Sequence, residues 1–418
     1  MVALDERVWF ASAADVPELV RMGVMRFIDL RVETKDAPAG VVAEPYPLHD
    51  GGTGQLTMLE ALGRRVEIFV RQGERVGVFS ETSGPSRGTA ALAYLVRTGS
   101  SLSEAVERLR AIDPVHVPTS RVLGTVRVLE QFWKNVRLDH HYLRVRGVSL
   151  HAVHLSGPEK PIFLLHGAYG SFTHWWRNLA GLARTFDVWA VDLPGFGESD
   201  DISDPFSVEQ YRALLNQAIR TWTGRLGILG GYSFGAYLAL DLLQAHPDLA
   251  RAGLLVGLGG RTGDPSRHRR VEEAHFPPDP SFQDRLGVVE QNLRAIHLSG
   301  DRPVDAFTVY LTYHNILRTR RGYGRLRGGS ERTSVVDILR ALSVPLLMVW
   351  GQEDPFSQPT PEDWARILKT ANPHIETAVL PRAAHWCMYQ EPEAFRREVQ
   401  RFTEAVLPSD PACDVGSD

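Results

Sequence analysis

Five apolar runs in the second part of the chain each lead directly into a glycine-rich or acidic turn, with helical patterns between them. The runs are PIFLLHG, VWAVDLPGFGESD, GILGGYSFG, AGLLVGLGG and PLLMVWGQEDP. Buried strands that alternate with helices indicate a parallel sheet, because parallel neighbours need a long crossover connection. The pattern predicts an α/β fold whose sheet is mostly parallel with helices on both faces. The segments HYLRVRG and SLHAVHLSG predict a hairpin in front of it.

The length of 418 residues predicts two domains. Residues 1–137 alternate short strands with helices and end in three helical segments, which predicts a separate α/β domain. Residues 138–408 hold the second pattern. Within them, residues 262–333 are rich in Arg, His and Pro and are interpreted as a helical lid inserted over the sheet. The small, acidic tail 409–418 is predicted to be disordered.

The composition narrows the classes of function. A net charge of −4, from 46 basic and 50 acidic residues, argues against a nucleic-acid partner. No apolar run approaches the roughly 20 residues that span a bilayer, and the first residues lack a secretory pattern. Two cysteines, Cys387 and Cys413, make a disulfide framework improbable and favour the cytoplasm. The sequence carries no motif for a metal, nucleotide or flavin, so no cofactor is expected.

The pentapeptide from Gly231 to Gly235 is the strongest chemical signal. It follows an apolar strand, opens a helix, and places Ser233 between two glycines, each two positions away. A serine on so sharp a strand-to-helix turn projects its hydroxyl from the carboxyl edge of the sheet. Ser233 is therefore predicted to be a nucleophile.

A serine hydroxyl needs a base to take its proton, and the base needs a group that orients it. His385 follows one late strand, and Asp354 follows another. We predict His385 as the base and Asp354 as its acid; Glu353 is the alternative, but Asp354 is the aspartate of the G-x-x-D-P turn. The developing oxyanion also needs N–H donors, which we assign to the backbone of Phe234 and Ala168.

These motifs resemble those of the α/β-hydrolase superfamily from about residue 140 to residue 408. The segments LLHGAYGSFTHWW, VDLPGFGESD, GYSFGA, VWGQEDP and AAHWCMYQEPEAF match its oxyanion strand, following turn, nucleophile elbow, acid turn and histidine loop in order. The resemblance implies a serine hydrolase. It does not name a substrate, because the superfamily includes esterases, lipases, thioesterases and carbon–carbon bond hydrolases.

Several residues are candidates for substrate contact. Trp386, directly after the histidine, is shared with hydrolases that cleave carbon–carbon bonds in ring-fission products, which also need a cation for the substrate carboxylate. The lid arginines Arg318, Arg320 and Arg321 are the candidates for that cation. The aromatic residues Trp175, Trp176 and Phe234 suit an apolar acyl pocket, or form part of the core.

Residues 1–137 resemble the dual-specificity, tyrosine-phosphatase-like fold, chiefly through the loop and helix that begin VGVFSETSGPSRG. Glu81 stands where that family has its catalytic cysteine, while Gly84 and Arg87 match its loop, and Asp50 falls where its general acid is expected. Because a carboxylate repels phosphate, this loop is expected to be vestigial. One hypothesis is that Glu81 fills the anion pocket and pairs with Arg87. The alternative is that the domain stabilises or dimerises the hydrolase.

The leading functional hypothesis is a cofactor-independent serine hydrolase that cleaves an ester, thioester or lactone of a small molecule with an apolar acyl part. Carbon–carbon hydrolysis, acyl transfer and a non-catalytic two-domain scaffold stay open as alternatives. Assembly into homo-oligomers is also left open by the sequence.

Overall fold

The computed structural model divides the chain into two compact units, Met1–Arg137 and Leu138–Asp418. The residues described below are 1–32, 37–48, 56–81, 85–114, 118–135, 138–158, 160–202, 207–224, 226–259, 274–275, 282–300, 304, 306–320 and 335–407. Within these residues, no helix is both long and apolar enough to cross a membrane.

The first unit is built on a sheet of strands β1 to β5. Their bounds are Val2–Ala3, Val8–Ser12, Arg26–Asp29, Ala43–Pro45 and Val76–Ser80. In the described residues the strand order is β1-β2-β5-β3-β4, and all neighbours are parallel except β1 and β2. The α-helices are Val16–Arg21, Leu56–Arg71, Pro85–Arg97, Leu102–Ile112 and Ser120–Asn135. The strands predicted near residues 7–10, 26–31 and 75–80 correspond to β2, β3 and β5.

The second unit has a larger sheet, of strands β6 to β13. Their bounds are Asp139–Val145, Val148–Leu155, Pro161–Leu165, Asp187–Val191, Leu226–Tyr232, Ala250–Val256, Leu346–Gly351 and Ile375–Leu380. Over the described ranges the order is β13-β12-β11-β10-β8-β9-β7-β6. The pair β6 and β7 and the pair β7 and β9 are antiparallel, and the other neighbours are parallel. The predicted hairpin and the mostly parallel sheet are confirmed.

Helices connect the parallel strands of the second unit. The α-helices are Trp176–Leu182, Val208–Thr223, Phe234–Ala245, Phe282–Asn292, Ala306–Leu317, Val335–Ala341, Pro361–Ala371, Cys387–Gln390 and Pro392–Val406, and a π-helix spans Leu293–His297. The helix Val208–Thr223 begins after Ser207, because Ser207 and Gln210 form a capping box. Two of the α-helices and the π-helix lie inside the segment interpreted as a lid; that role stays a prediction.

The central strands are buried on both faces, which explains their continuous apolar sequence. Residues of β8, β10, β11 and β12 share one core with the helix Phe234–Ala245. Since these four strands run parallel, their carboxyl ends meet at one edge of the sheet. The segments that follow β8, β10, β12 and β13 carry every residue of the predicted catalytic machinery.

Asp192, directly after β9, stabilises this edge of the sheet by hydrogen bonds. Its fully buried carboxylate accepts hydrogen bonds from His151 Nδ1 at 2.8 Å, from the N–H of Phe172 at 2.8 Å and from the N–H of Glu198 at 2.9 Å. Burial acts to raise the pKa of Asp192, but His151 and these donors outweigh it and hold the pKa below its ordinary value. The ionised carboxylate therefore ties two turns to the sheet.

Candidate active site

The turn from β10 into the helix Phe234–Ala245 holds the predicted nucleophile in a rare backbone conformation. Ser233 has φ of 50° and ψ of −113°, which costs on the order of 1–3 kcal/mol for a residue with a side chain. A Cβ on Gly231 would lie 2.1 Å from the carbonyl oxygen of Gly235, and a Cβ on Gly235 would lie 2.4 Å from that of Leu165. Both flanking positions therefore require glycine.

The structure brings the three predicted triad residues together from segments far apart in the chain. The Oγ of Ser233 lies 2.9 Å from Nε2 of His385, and Nδ1 of His385 lies 2.9 Å from Oδ2 of Asp354. Because a carboxylate accepts, Nδ1 carries the proton and leaves Nε2 as the acceptor for the serine hydroxyl. His385 and Asp354 are buried, while Ser233 keeps accessible surface. This geometry can transfer a proton from serine to imidazole.

Neighbouring residues shape the space around the imidazole. Gly257, just after β11, has φ of 60°, and a Cβ there would lie 3.1 Å from Cε1 of His385. The second carboxylate oxygen of Asp354 accepts the N–H of Phe356 at 2.9 Å, and the Phe356 ring lies edge-on to the His385 ring at 4.7 Å. The alternative acid, Glu353, is exposed, and Asp354 is the carboxylate that bonds His385.

The turn after β8 is pinned by two histidines that the sequence analysis did not single out. Nδ1 of His166 donates to the carbonyl oxygen of Gly167 at 2.7 Å, and its Nε2 accepts the N–H of Leu193 at 3.0 Å. The N–H of Gly167 donates to Nδ1 of His174 at 3.1 Å. Since C=O and N–H point in opposite directions across a trans peptide, the N–H of Ala168 points away from buried His166.

The two predicted oxyanion donors thus start from different strands. Ala168 follows β8, and among the described residues no group accepts its N–H. Phe234 is the first residue of its helix, where backbone N–H groups face away from the helix body. The roles of both residues stay a prediction, which the fixed peptide plane supports.

Replacing His166 by alanine is expected to lower kcat by about 10-fold to 100-fold with little change in KM. Loss of its bond to Gly167 lets the peptide plane turn, and one misplaced oxyanion donor costs a large part of its stabilisation. The kcat and KM of the folded His166→Ala variant are measured by ester hydrolysis, and His166→Gln is measured in parallel. Unchanged kcat in His166→Ala would show that the plane is held by other contacts.

The segment after the π-helix is attached to the histidine loop. The carbonyl oxygen of His297 accepts the N–H of Trp386 at 2.9 Å. The amide of Gln390 bonds the backbone of Ser299 in both directions, at 3.2 and 3.0 Å, and its oxygen also accepts the N–H of Ala384 at 2.8 Å. These contacts fix the residues on both sides of His385.

Tyr232, directly before the nucleophile, lies between three imidazoles. Its ring is 5.3 Å from that of His174 and 5.2 Å from that of His385, and its hydroxyl is 3.1 Å from Nδ1 of His297. Burial raises the pKa of Tyr232 well above its ordinary value, and lowers the pKa of His174 well below its own. Burial, and to a smaller extent the nearby His385, lowers the pKa of His297 to about 3. These groups are uncharged at neutral pH.

The structure separates the predicted substrate-contact residues into different environments. Trp175 is fully buried with its ring 6.2 Å from that of Phe395, so it belongs to the core and not to a pocket. Trp176 is partly buried beside Tyr389. Trp386 is buried, donates from Nε1 to the carbonyl oxygen of His174 at 3.0 Å, and adjoins the site.

The described lid arginines bond the turn after β9. Arg318 pairs with the buried carboxylate of Glu198. Arg320 donates to the carbonyl oxygens of Gly197 at 2.9 Å and Ser199 at 2.6 Å. Arg321 lies outside the described residues. Glu198 therefore neutralises the charge of Arg318, whereas Arg320 is held by neutral carbonyl oxygens.

In the first unit, the hypothesis that Glu81 pairs with Arg87 is wrong. Buried Arg87 pairs with Asp113 at 2.7 Å, whereas Glu81 has a side chain 57% exposed and lies 3.8 Å from Arg31. An internal aspartate is the closer and better-desolvated partner for the guanidinium. Gly84 and Asp50 lie outside the described residues.

The fold and site define a hydrolase of the α/β class, and the comparisons agree. Residues 162–398 match the model of the alpha/beta hydrolase family, so the chain belongs to that family. It is 24% identical over 268 residues, 60% of this chain and 91% of the relative, to a 2-hydroxy-6-oxo-6-phenylhexa-2,4-dienoate hydrolase of Burkholderia cepacia.

Another relative is an esterase, and a solved esterase structure has a similar fold. The chain is 24% identical over 257 residues, 59% of its length and 96% of the relative's, to a pimeloyl-[acyl-carrier protein] methyl ester esterase of Vibrio cholerae. The solved structure of a naproxen esterase from Bacillus subtilis superposes with a TM-score of 0.53 at 20% identity, covering 66% of this chain and 95% of that one. The family therefore includes esterases and carbon–carbon bond hydrolases similar to this chain.

Proposed function

We propose that the second unit is a serine hydrolase that cleaves a carboxylic ester, or a related thioester or lactone, through an acyl-enzyme on Ser233. The observation that carries the proposal is the continuous hydrogen-bonded chain from Ser233 through His385 to Asp354. Membership of the alpha/beta hydrolase family supports it.

In the acylation step, Oγ of Ser233 attacks the substrate carbonyl while Nε2 of His385 takes the hydroxyl proton. The negative charge on the carbonyl oxygen is stabilised by the N–H groups of Ala168 and Phe234. When the tetrahedral intermediate collapses, the bond to the leaving group breaks, and His385 gives its proton to the leaving oxygen. Asp354 stabilises the imidazolium that exists between the two transfers.

In the deacylation step, a water molecule gives one proton to His385 and attacks the acyl carbon. Collapse of the second intermediate breaks the bond to Oγ of Ser233, which regains its proton from His385 and releases the carboxylic acid. An alcohol in place of water would give acyl transfer by the same steps.

The surroundings favour an uncharged, partly apolar substrate. Phe356 beside His385 is 43% exposed, and Tyr169, next to Ala168, is 47% exposed, so aromatic surface borders both sides of the site. Two of the three proposed lid arginines are described: Arg318 pairs with Glu198, and Arg320 donates to carbonyl oxygens. Of these two arginines, Arg318 has its charge neutralised by a carboxylate.

Carbon–carbon bond hydrolysis is the second candidate. It is favoured by Trp386 beside the histidine and by the relative that cleaves 2-hydroxy-6-oxo-6-phenylhexa-2,4-dienoate. Of the three lid arginines proposed as its carboxylate-binding cation, Arg318 is paired with Glu198, which leaves Arg320 and Arg321. Turnover of such a diketo acid, lost in Arg320→Ala or in Arg321→Ala, would select this candidate over an esterase.

For the first unit we propose a tyrosine-phosphatase-like domain without phosphatase activity. The strand β5 and the helix Pro85–Arg97 follow the expected order. Glu81 in place of a cysteine removes the nucleophile, and Asp113 already neutralises Arg87. A stabilising or dimerising role agrees with both features.

The test is covalent labelling of the purified chain with a fluorophosphonate probe, followed by mapping of the labelled peptide. We expect label on Ser233, because the probe reacts with serines activated by a base. A panel of p-nitrophenyl esters of increasing chain length then defines the acyl preference. Label on another residue, or none, would contradict the assignment.

A further inference from the structure

His297 reaches the active site from the insertion. It is the last residue of the π-helix Leu293–His297, a rare element that is frequently found at functional sites. Its carbonyl is bonded to the N–H of Trp386, and its ring lies 5.8 Å from the ring of His385. The imidazole is therefore held next to the base by backbone contact as well as by its own side chain.

The hydrogen bond to Tyr232 fixes which nitrogen of His297 carries the proton. The hydroxyl of fully buried Tyr232 has no other hydrogen-bond partner in the part of the chain that the structure describes. If Nδ1 of His297 donated, the tyrosine proton would be buried without an acceptor, at a cost of about 1–3 kcal/mol. Tyr232 therefore donates to Nδ1, and the ring proton of His297 resides on Nε2.

The Nε2–H group of His297 donates to no residue in the described part of the chain. Its nitrogen atom is not sealed from solvent. Low pKa keeps the ring neutral, so the group donates a hydrogen bond without bringing a charge. The group is therefore open to an acceptor that enters the site, either water or an atom of a ligand.

His174 offers a second group of the same kind on the other side of Tyr232. Its Nδ1 accepts the N–H of Gly167, so its proton is on Nε2, and no described residue accepts that proton. Its ring lies 5.1 Å from that of Trp386, while the His297 ring lies 6.3 Å from it. Two uncharged donors thus border the same tryptophan.

We infer that Nε2–H of His297 binds a second, uncharged oxygen acceptor of the substrate, a ketone or ether oxygen a few bonds from the scissile carbonyl. This inference rests on the proposed function and narrows its substrate class to neutral oxo- or alkoxyacyl esters. His297 is then a specificity-determining residue, which discriminates between acyl groups by one hydrogen bond and leaves the triad's chemistry unchanged.

The experiment compares p-nitrophenyl 4-oxopentanoate with p-nitrophenyl 4-methylpentanoate, in which a methyl group replaces the ketone oxygen. The ratio of their kcat/KM values is corrected by the ratio of their hydroxide-catalysed rates. We expect the wild type to favour the oxo ester about tenfold, the effect of one neutral hydrogen bond.

Three variants test the assignment. The double variant Tyr232→Phe with His297→Phe removes both partners while it keeps the shape of the rings, so no buried group is left unpaired. Its ratio is expected to fall to within about twofold of unity. His297→Gln, which can accept from Tyr232 and still donate, is expected to keep most of the preference. Exposed His374→Gln is the matched control and is expected to keep all of it.

Fluorophosphonate labelling of Ser233 separates a failure of the proposed serine hydrolase function from a failure of the proposed role of His297. If wild type and variants label but the wild type shows no preference or does not turn over the oxo ester, the role of His297 is rejected and the serine hydrolase stands. The same conclusion follows if the double variant keeps the wild-type ratio. If the wild type does not label, the proposed function fails and this inference fails with it.

Discussion

Replacing Ser233 by alanine is expected to abolish fluorophosphonate labelling and to lower kcat for any ester that the wild type hydrolyses by about 10⁴-fold to 10⁶-fold. Removal of a triad nucleophile leaves only the contribution of the oxyanion donors and of substrate binding. Among the described residues, the side chain makes one hydrogen bond, to Nε2 of His385 at 2.9 Å. Its loss is expected to leave the fold intact.

The control for this variant is Ser103→Ala. Ser103 is exposed in the first unit, where its hydroxyl contacts that of Ser101 at 3.2 Å. Both variants should give the same far-ultraviolet circular dichroism and the same unfolding temperature within about 2 °C, while Ser103→Ala alone keeps full activity and labelling. Persistent labelling or turnover in Ser233→Ala would mean that another residue is the nucleophile.

The scaffold of the second unit could be predicted because its signals are local. An apolar run followed by a glycine turn marks a parallel strand, and the hairpin of β6 and β7 was visible as two adjoining strand patterns. The same holds for part of the elbow, since Gly231 must be small because of Gly235, four residues away, whereas Gly235 must be small because of Leu165 on a neighbouring strand. The positions of Asp354 and His385 followed from the sheet itself, because both come after parallel strands.

The histidines around Tyr232 could not be predicted in this way. The chain has fifteen histidines, and no spacing distinguishes His174 or His297 from the others. Their roles come from contacts with residues 7 and 65 positions away, to Gly167 and Tyr232. A useful signal was present for His166, which directly precedes the glycine of the oxyanion turn.

The ion-pair partners of the arginines could not be predicted either. The sequence showed that Arg87 and Arg318 carry charge, but not which carboxylate would neutralise each. Asp113 is 26 residues from Arg87, and Glu198 is 120 residues from Arg318. An arginine that is paired inside the protein is poorly placed to bind a substrate anion, so both functional hypotheses weakened once the pairs were known.

Replacing Gly231 by alanine is expected to lower the free energy of unfolding of the second unit by about 3 kcal/mol or more. Its Cβ would lie 2.1 Å from the carbonyl oxygen of Gly235 and 2.6 Å from the nitrogen of Ala236. Both are backbone atoms at the start of the helix that follows Ser233, so no side-chain rotation relieves the overlap. Relief requires a shift of the helix away from β10, which moves Ser233 relative to His385.

Gly287→Ala is the matched control, because Gly287 lies in the exposed face of the helix Phe282–Asn292 and a Cβ there meets nothing within 4 Å. Alanine in a helix interior is expected to raise stability by about 0.5–1 kcal/mol. Urea unfolding followed by tryptophan fluorescence measures both variants, since all of the nine tryptophans except Trp9 and Trp133 belong to the second unit. Equal midpoints for Gly231→Ala and wild type would mean that the helix can move at little cost, and that the strained elbow is not what holds the hydroxyl against the imidazole.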